Sequence, residues 1–338
     1  MRATMVASIH RERQGLTMLH TITGSQGLSS TITTIGAACV SLEVPGRDEK
    51  PVDVVLGLSC EDDYRDNPNY IGATVGRCVN RIGGARFSLG GTEYLLTAND
   101  GANCNHSGRD FWAMRAWELA EADEDHVTLS LHSPDGDQGF PGEADATATY
   151  RVDGMALEVT YAVSVSAPTI VNMTNHAYFN LNGYDSGSAM GHLLRIDSDR
   201  RLVSDETVLP TGEIADVAGT AWDFRELRPI ERAMPSAGFD TCFVLPGDGG
   251  LAHAARLVGE KSGIAMDLLC DQPGMQLYTA NFMSDPRGKN GTGCQPRSAV
   301  CLEPGIYPDA IHHPDWPSPV FSPERPYLWR MRLEFSLV

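Results

Sequence analysis

Trp329-Arg330-Met331-Arg332-Leu333-Glu334-Phe335-Ser336-Leu337 carries an apolar side chain at every second position, with arginine, glutamate and serine between them. Successive side chains of an extended chain point to opposite sides, so this period of two buries one face and leaves the other in water. The same alternation recurs upstream. Leu157, Val159, Tyr161, Val163 and Val165 form one register, and Val127, Leu129 and Leu131 form another around Thr128 and Ser130. Turn sequences punctuate these runs: Pro134-Asp135-Gly136, Val152-Asp153-Gly154 and Pro246-Gly247-Asp248-Gly249-Gly250. Helical signals are weak, and the best of them, Arg225 to Met234, is interrupted by Pro229. No strand–helix alternation, dinucleotide or P-loop glycine motif, G-x-S-x-G elbow or internal repeat stands out. The expected fold is therefore all-β: a large antiparallel β-sandwich with few short helices, in one domain spanning 29–338. Residues 1–28 lack a sustained period and are expected to be a poorly ordered lead-in, within which Met18 is a second candidate start.

The 338 residues include 42% apolar and 21% charged side chains, enough for a substantial core without cross-links. The 34 glycines and 20 prolines suit a turn-rich β chain. The formal net charge is −18, which disfavours nucleic acid and anionic lipid as partners and penalises neutral small molecules least. The eight cysteines are widely spaced with no C-x-x-C pair, so free thiols are expected and no structural metal. Arg2, Arg11, Glu12 and Arg13 break the N-terminal stretch, which has no signal-peptide core, and no run approaches membrane-spanning length. These features point to a cytoplasmic protein.

Four segments are more polar than a β core requires. Asn69 to Ile82 sets Arg77 and Arg81 in an apolar, glycine-containing run; each reads as a structural ion pair or as a guanidinium aimed at ligand oxygens. Asn99 to Gly108 has loop composition and contains His106. Thr169 to Gly183 interleaves Asn172, Asn175, His176, Tyr178 and Asn180 with valine, methionine and phenylalanine. That pattern suits either a small-molecule site or a connection whose asparagines cap backbone groups. Glu303 ends the short apolar run Ala299-Val300-Cys301-Leu302, as a desolvated proton-handling carboxyl or an ordinary rim glutamate. His312-His313 invites a metal reading, but neighbours on a strand face opposite ways and rarely chelate one ion.

Taken in order, these segments resemble the aldose 1-epimerase (galactose mutarotase) family. The resemblance rests on Gly76-Arg77, Asn80-Arg81-Ile82, Asn105-His106, Thr174-Asn175-His176-Ala177-Tyr178-Phe179-Asn180-Leu181, Gly238-Phe239-Asp240, Gln276 to Phe282, and Leu302-Glu303-Pro304 with Tyr307-Pro308-Asp309-Ala310. It implies a β-supersandwich with a sugar cleft, His176 as general acid and Glu303 as general base. It further implies Asn80, Arg81, His106, Tyr178, Asp240 and Gln276 as sugar-binding positions, with no cofactor and no metal. Two departures stand out. Asn105-His106-Ser107 replaces the family's usual Leu-His-Gly, and Gly305 stands where a bulkier residue is common.

The implied reaction interconverts the anomers of free aldoses such as D-glucose and D-galactose. Ring opening requires the anomeric hydroxyl to lose a proton while the ring oxygen gains one. A carboxylate at 303 and an imidazolium at 176 would serve, each returning to its starting state after reclosure. Phe282 and Trp316 are candidates for an apolar floor. One alternative is a mutarotase for hexose 6-phosphates, drawing on Arg77, Arg81 and Arg86 for the phosphate; another is a non-catalytic sugar-binding module on the same scaffold. The expected partner is a monosaccharide, and the expected state a monomer or homodimer.

Overall fold

The computed structural model describes residues 19–247 and 249–338. Two antiparallel sheets set the architecture. The larger has nine strands in the order Glu118–Ala122, His126–Ser133, Ala144–Asp153, Ala156–Val165, Tyr327–Leu337, Ile264–Cys270, Ala252–Val258, Leu193–Ile196 and Arg228–Pro229. The smaller has five: Pro210–Asp216, Arg200–Ser204, Asp240–Val244, Gly274–Tyr278 and Cys301–Gly305. A four-stranded sheet runs Leu19–Thr23, Ser29–Thr33, Ala38–Pro45 and Pro51–Asp53. Helical structure among the described residues amounts to six short 3₁₀ turns.

The alternating runs fall where their period places them. Trp329, Met331, Leu333 and Phe335 are buried, while Arg330, Arg332, Glu334 and Ser336 lean outward. Tyr161 pairs across the strands with Trp329, and the two rings stack at 4.7 Å. Such aromatic pairs add about 0.5–1.5 kcal/mol to burial alone. These side chains share one continuous core with Leu202, Phe243, Met275, Leu277 and Leu302 of the smaller sheet and Ile22, Ile32, Leu42 and Val44 of the four-stranded one. The sheets thus pack face to face as a sandwich.

The lead-in expected over 1–28 differs in part. Residues 1–18, Met18 included, lie outside the described residues, but Leu19–Thr23 is a strand paired residue for residue with Ser29–Thr33. It buries only Ile22, which is why no sustained period marks it. His312 and His313 also differ from their expected strand. Ala310–His312 is a 3₁₀ turn, so both imidazoles reach back to Asp309, with His312 Nδ1 at 2.6 Å from Oδ1 and His313 Nε2 at 3.8 Å from Oδ2. All eight cysteines are free, Cys60 exposed and the others buried.

A buried polar layer joins the sandwich to the segment that carries His176. Tyr150 of the large sheet donates to the Ala37 carbonyl at 2.7 Å and accepts from Asn175 Nδ2 at 2.9 Å, while Thr74 Oγ1 lies 3.0 Å from the Tyr161 hydroxyl. Thr74 and Asn175 are themselves partners in a two-residue ladder, Thr74–Val75 with Thr174–Asn175. Further along, fully buried His192 accepts the Leu181 N–H at Nε2 (2.8 Å) and holds Glu260 Oε2 at 2.9 Å from Nδ1. The Leu181 bond fixes the neutral imidazole, and burial lowers the His192 pKa to about 4.

That depressed pKa sets a direction. The unfolded chain takes up the proton near 6.5, so the contribution of His192 to stability is complete above that pH and is lost progressively as the pH falls toward about 4. His192→Leu orphans the buried Leu181 N–H, and urea denaturation at neutral pH should show a loss of about 1–3 kcal/mol. The same variant should lose less stability than wild type on acidification; an equal acid slope would show that His192 does not titrate on unfolding.

Candidate active site

The register of the smaller sheet builds one wall of a cavity. Cys242 pairs with Gln276, and Gln276 with Glu303, so all three project from one face. Asp240, Tyr278 and Cys301, each two residues along its strand, project from the same face. The alternate residues Phe243, Met275, Leu277 and Leu302 fill the core on the other side. Gln276 Nε2 donates to Asp240 Oδ1 at 2.5 Å.

The opposite wall comes from residues between Pro68 and Tyr178. His176 follows the Thr174–Asn175 ladder, and both of its backbone groups are bound: its N–H to the Ala73 carbonyl at 2.9 Å and its carbonyl by the Gly72 N–H at 3.0 Å. Arg81 begins the short strand Arg81–Ile82, paired with Cys104–Asn105, which brings it beside His106. Asp309 secures this pair, its N–H on the Arg81 carbonyl at 3.0 Å and its carboxylate on the Gly83 N–H at 2.9 Å.

Between these walls lies a cavity of about 180 Å³. Asn80, Arg81, His106, His176, Tyr178, Asp240, Gln276 and Glu303 all line it, together with Pro68, Asn69, Tyr70, Asn105, Val208, Tyr278 and Phe282. His176 Nε2 lies 3.6 Å from Glu303 Oε1, and the two side chains are only 6% and 4% exposed. Burial pushes the Glu303 pKa well above the ordinary carboxylate value, with the Asp240 carboxyl adding to the rise. Burial lowers His176 to about 4. Burial thus favours a neutral carboxylic acid beside a neutral imidazole, where the reaction chemistry called for carboxylate and imidazolium. The two descriptions differ by the position of one proton.

The remaining polar groups are oriented by named partners. Arg81 Nε donates to Asp100 Oδ2 at 2.8 Å. His106 Nδ1 accepts the Asn80 N–H at 3.2 Å, and burial together with His176 and Arg81 keeps this imidazole neutral, leaving Nε2–H as a donor. Burial raises the Asp240 pKa and the Arg81 charge opposes the rise. Gln276 Oε1 and Asn105 Oδ1 are buried and, among the described residues, have no hydrogen-bond partner. Two cavity residues with an unused acceptor suit a ligand that brings hydroxyl donors. Tyr178 presents its ring, which stacks on His176 at 5.0 Å, while its hydroxyl donates to the Asn69 carbonyl at 2.9 Å. The sequence reading missed Tyr70, whose ring lies 4.4 Å from His106 and 5.7 Å from His176, and also Asp100, Tyr278 and Val208. Tyr70 and Val208 share a positive φ, which the sequence does not display for non-glycine residues. Of the two floor candidates, Phe282 lines the mouth at 81% exposed, whereas Trp316 packs on His313 and Tyr307.

Arg77 is structural, but through hydrogen bonds to neutral groups and not the expected ion pair. It is fully buried and donates to the Gly142 carbonyl at 2.8 Å and to Ser133 Oγ at 2.7 Å, away from the cavity. The departure at Ser107 is also explained. Its φ of +71° is one that glycine adopts freely, and its hydroxyl compensates by accepting the Cys78 N–H at 2.7 Å and donating to the Cys78 carbonyl at 3.0 Å. At Gly305 a Cβ would sit 3.1 Å from Asn172 Oδ1, the oxygen that accepts the Ile306 N–H. Larger in volume, at about 410 Å³, is a surface cleft elsewhere, lined by Arg195, Arg200 and Arg225; Arg195 and Arg225 pair with Asp197 and Asp223 at its rim.

Comparison with known proteins agrees with the geometry. The family model described as Aldose 1-epimerase matches residues 18–334. A galactose mutarotase of Bos taurus is 37% identical over 319 residues, covering 93% of this chain and 92% of its own length. An aldose 1-epimerase of Escherichia coli K12 is 33% identical, covering 89% of each chain. Among solved structures, an aldose epimerase homologue from C. elegans superposes with a TM-score of 0.91 at 28% identity, over 96% of this chain and all of the other. With the family model matched over residues 18–334 and relatives 33–37% identical over about nine-tenths of the chain, on a cavity built by the fold those relatives' structural neighbour shares, the chain belongs to the aldose 1-epimerase family.

Proposed function

We propose that the protein interconverts the α and β anomers of free aldoses such as D-glucose and D-galactose, with Glu303 and His176 exchanging the two protons of ring opening. The observation that carries this reading is the 3.6 Å separation of the two buried side chains inside the sugar-sized cavity. The anomeric and ring oxygens are bonded to the same carbon, so an acid and a base acting on them must lie close together. Glu303 as carboxylate takes the proton of the anomeric hydroxyl, and His176 as imidazolium protonates the ring oxygen. Rotation about C1–C2 presents the other carbonyl face, and reclosure reverses both transfers. The pair carries one proton throughout. Burial favours the neutral tautomer before the sugar arrives, and one proton shift between Glu303 and His176 produces the reactive form without uptake from solvent. Arg81 and His106 Nε2–H supply donors to the sugar hydroxyls, while Asp240 and Gln276 Oε1 supply acceptors.

A hexose 6-phosphate substrate fits less well. Of the three arginines considered for it, only Arg81 lines the cavity, and Asp100 already neutralises it. Non-catalytic binding leaves the buried His176–Glu303 pair without a use. No helix among the described residues is long and apolar enough to cross a membrane.

Polarimetry of freshly dissolved α-D-glucose or α-D-galactose should show accelerated relaxation to the anomeric equilibrium, with glucose 6-phosphate a much poorer substrate. Glu303→Gln and His176→Asn should each lower kcat by about 10²–10⁴-fold. Variants that relax the sugar at the wild-type rate would refute the assigned roles. The pH dependence follows from the shared proton. As the pH falls below about 4 the pair gains a second proton and loses its base; well above the usual carboxylate range it loses its only proton and hence its acid. The acid limb of kcat/KM should therefore lie near 4 and not at the ordinary histidine value of 6.5. An inflection there that vanishes in His176→Asn would show that the imidazole is not held low by burial.

A further inference from the structure

One residue beside the acid and base has no part in the proton transfers. Cys301 is fully buried, two residues before Glu303 on the same strand and therefore on the same face. Its Sγ lies 3.7 Å from His176 Nδ1. Among the described residues, His176, Cys301 and Glu303 form the group that offers one nitrogen, one sulfur and one carboxylate oxygen within 4.8 Å of one another. We propose that these three side chains form a site for a thiophilic divalent cation, zinc above all, that closes the sugar cavity and inhibits the enzyme reversibly.

The spacing supports it. Tetrahedral zinc, with bonds of about 2.3 Å to sulfur and about 2.0 Å to nitrogen, holds those two ligands about 3.5 Å apart. The sulfur and Nδ1 already stand at 3.7 Å, and Nε2 and the Glu303 oxygen at 3.6 Å. The ion takes one of the two ring nitrogens; with all three donor atoms within 4.8 Å of one another, a shift of the carboxylate or the ring completes three bonds. The fourth tetrahedral position is left to water. Three protein ligands of mixed nitrogen, sulfur and oxygen character select zinc over magnesium, which prefers an all-oxygen octahedron. The metal ties up both proton-handling side chains, so it and the aldose exclude one another. That competition rests on the mutarotase reading; the metal site itself does not.

The test is a titration of the whole protein with Zn²⁺ in a non-chelating buffer, read by calorimetry and by polarimetry. We expect one ion bound per chain, a raised apparent KM for the aldose at unchanged kcat, full recovery with EDTA, and no effect of Mg²⁺. Losing even an outer-shell partner of a metal weakens binding about 10–100-fold, so Cys301→Ser should raise the Zn²⁺ needed for half-inhibition, relative to its own uninhibited rate, at least ~10-fold. Cys60→Ser, which removes the exposed thiol, should behave as wild type. Co²⁺ added to the wild-type protein should give a thiolate-to-metal absorption band, a readout that needs neither activity nor a variant that folds. Absence of binding at millimolar Zn²⁺, inhibition abolished by Cys60→Ser, a cobalt complex without the thiolate band, or zinc binding indifferent to aldose would each overturn the proposal. Zinc bound through Cys301 in a protein that never speeds mutarotation would uphold the metal site and refute the enzymatic reading.

Discussion

The carbonyl oxygen of Pro304 accepts two buried hydrogen bonds, from Thr174 Oγ1 and Trp329 Nε1, both at 2.9 Å. This junction sets the distance between the His176 and Glu303 side chains. Thr174 stands two residues before His176, Pro304 directly after Glu303, and Trp329 stacks on Tyr161 in the middle of the large sheet. Segments 130 residues apart are thereby fixed to the same core. Asn172 adds a second tie, donating to the Ile306 carbonyl and accepting the Ile306 N–H, each at 2.9 Å. Positioning of this kind is where much of an enzyme's advantage arises, since a reacting pair misplaced by about 1 Å can lose 10²-fold in rate.

The pair so fixed is buried, and desolvation then governs its chemistry. The rings of Tyr70, Tyr178 and Tyr278 stand around His176 at 5.7, 5.0 and 6.5 Å. In such surroundings an isolated charge is costly, so the one proton settles where both groups are neutral. This differs from the imidazolium expected from an unperturbed histidine. The cost falls on a tautomer, not on net protonation, so the working pH range widens instead of moving. Meanwhile the net charge of −18 favours neutral sugars over phosphorylated ones well before they reach Arg81.

How much of this was legible in the sequence depended on how many faces of each strand meet protein. Ala156–Val165 and Tyr327–Leu337 bury one face and wet the other, so their period of two is plain. Gly274–Tyr278 and Cys301–Gly305 are buried along nearly their whole length, one face on the core and the other on the cavity. They show no alternation, and periodicity alone could not identify them as strands or say which face carried Gln276 and Glu303. The site residues were recovered through the family resemblance, which reads the order of motifs. It did not supply Asp100 or Tyr70, loop residues that act through a partner's orientation, nor the turn that swings His312 and His313 onto Asp309.

Arg77 and Arg81 show why residue type alone could not decide a role. They are four residues apart in one glycine-containing run, and either could have been a ligand guanidinium. Arg77 is enclosed, its Nη1 and Nη2 on neutral acceptors, and burial lowers its pKa to about 10. Its charge is balanced at one remove: Ser133 Oγ, which accepts from it, donates in turn to Asp137 Oδ2 at 2.5 Å, and Asp137 also holds Arg115. Arg81 instead meets a half-exposed carboxylate, Asp100, at the edge of a cavity. Between them Asn80 takes a φ of +64°, which turns the chain so that Arg81 enters the short ladder beside His106. A left-handed residue at this point redirects the backbone, so one arginine locks the sandwich and the next faces the cavity. An extended conformation at Asn80 would lose the Arg81 N–H bond to Asn80 Oδ1 and the Asn80 N–H bond to His106 Nδ1 together, displacing the Arg81 and His106 donors from the cavity in one step.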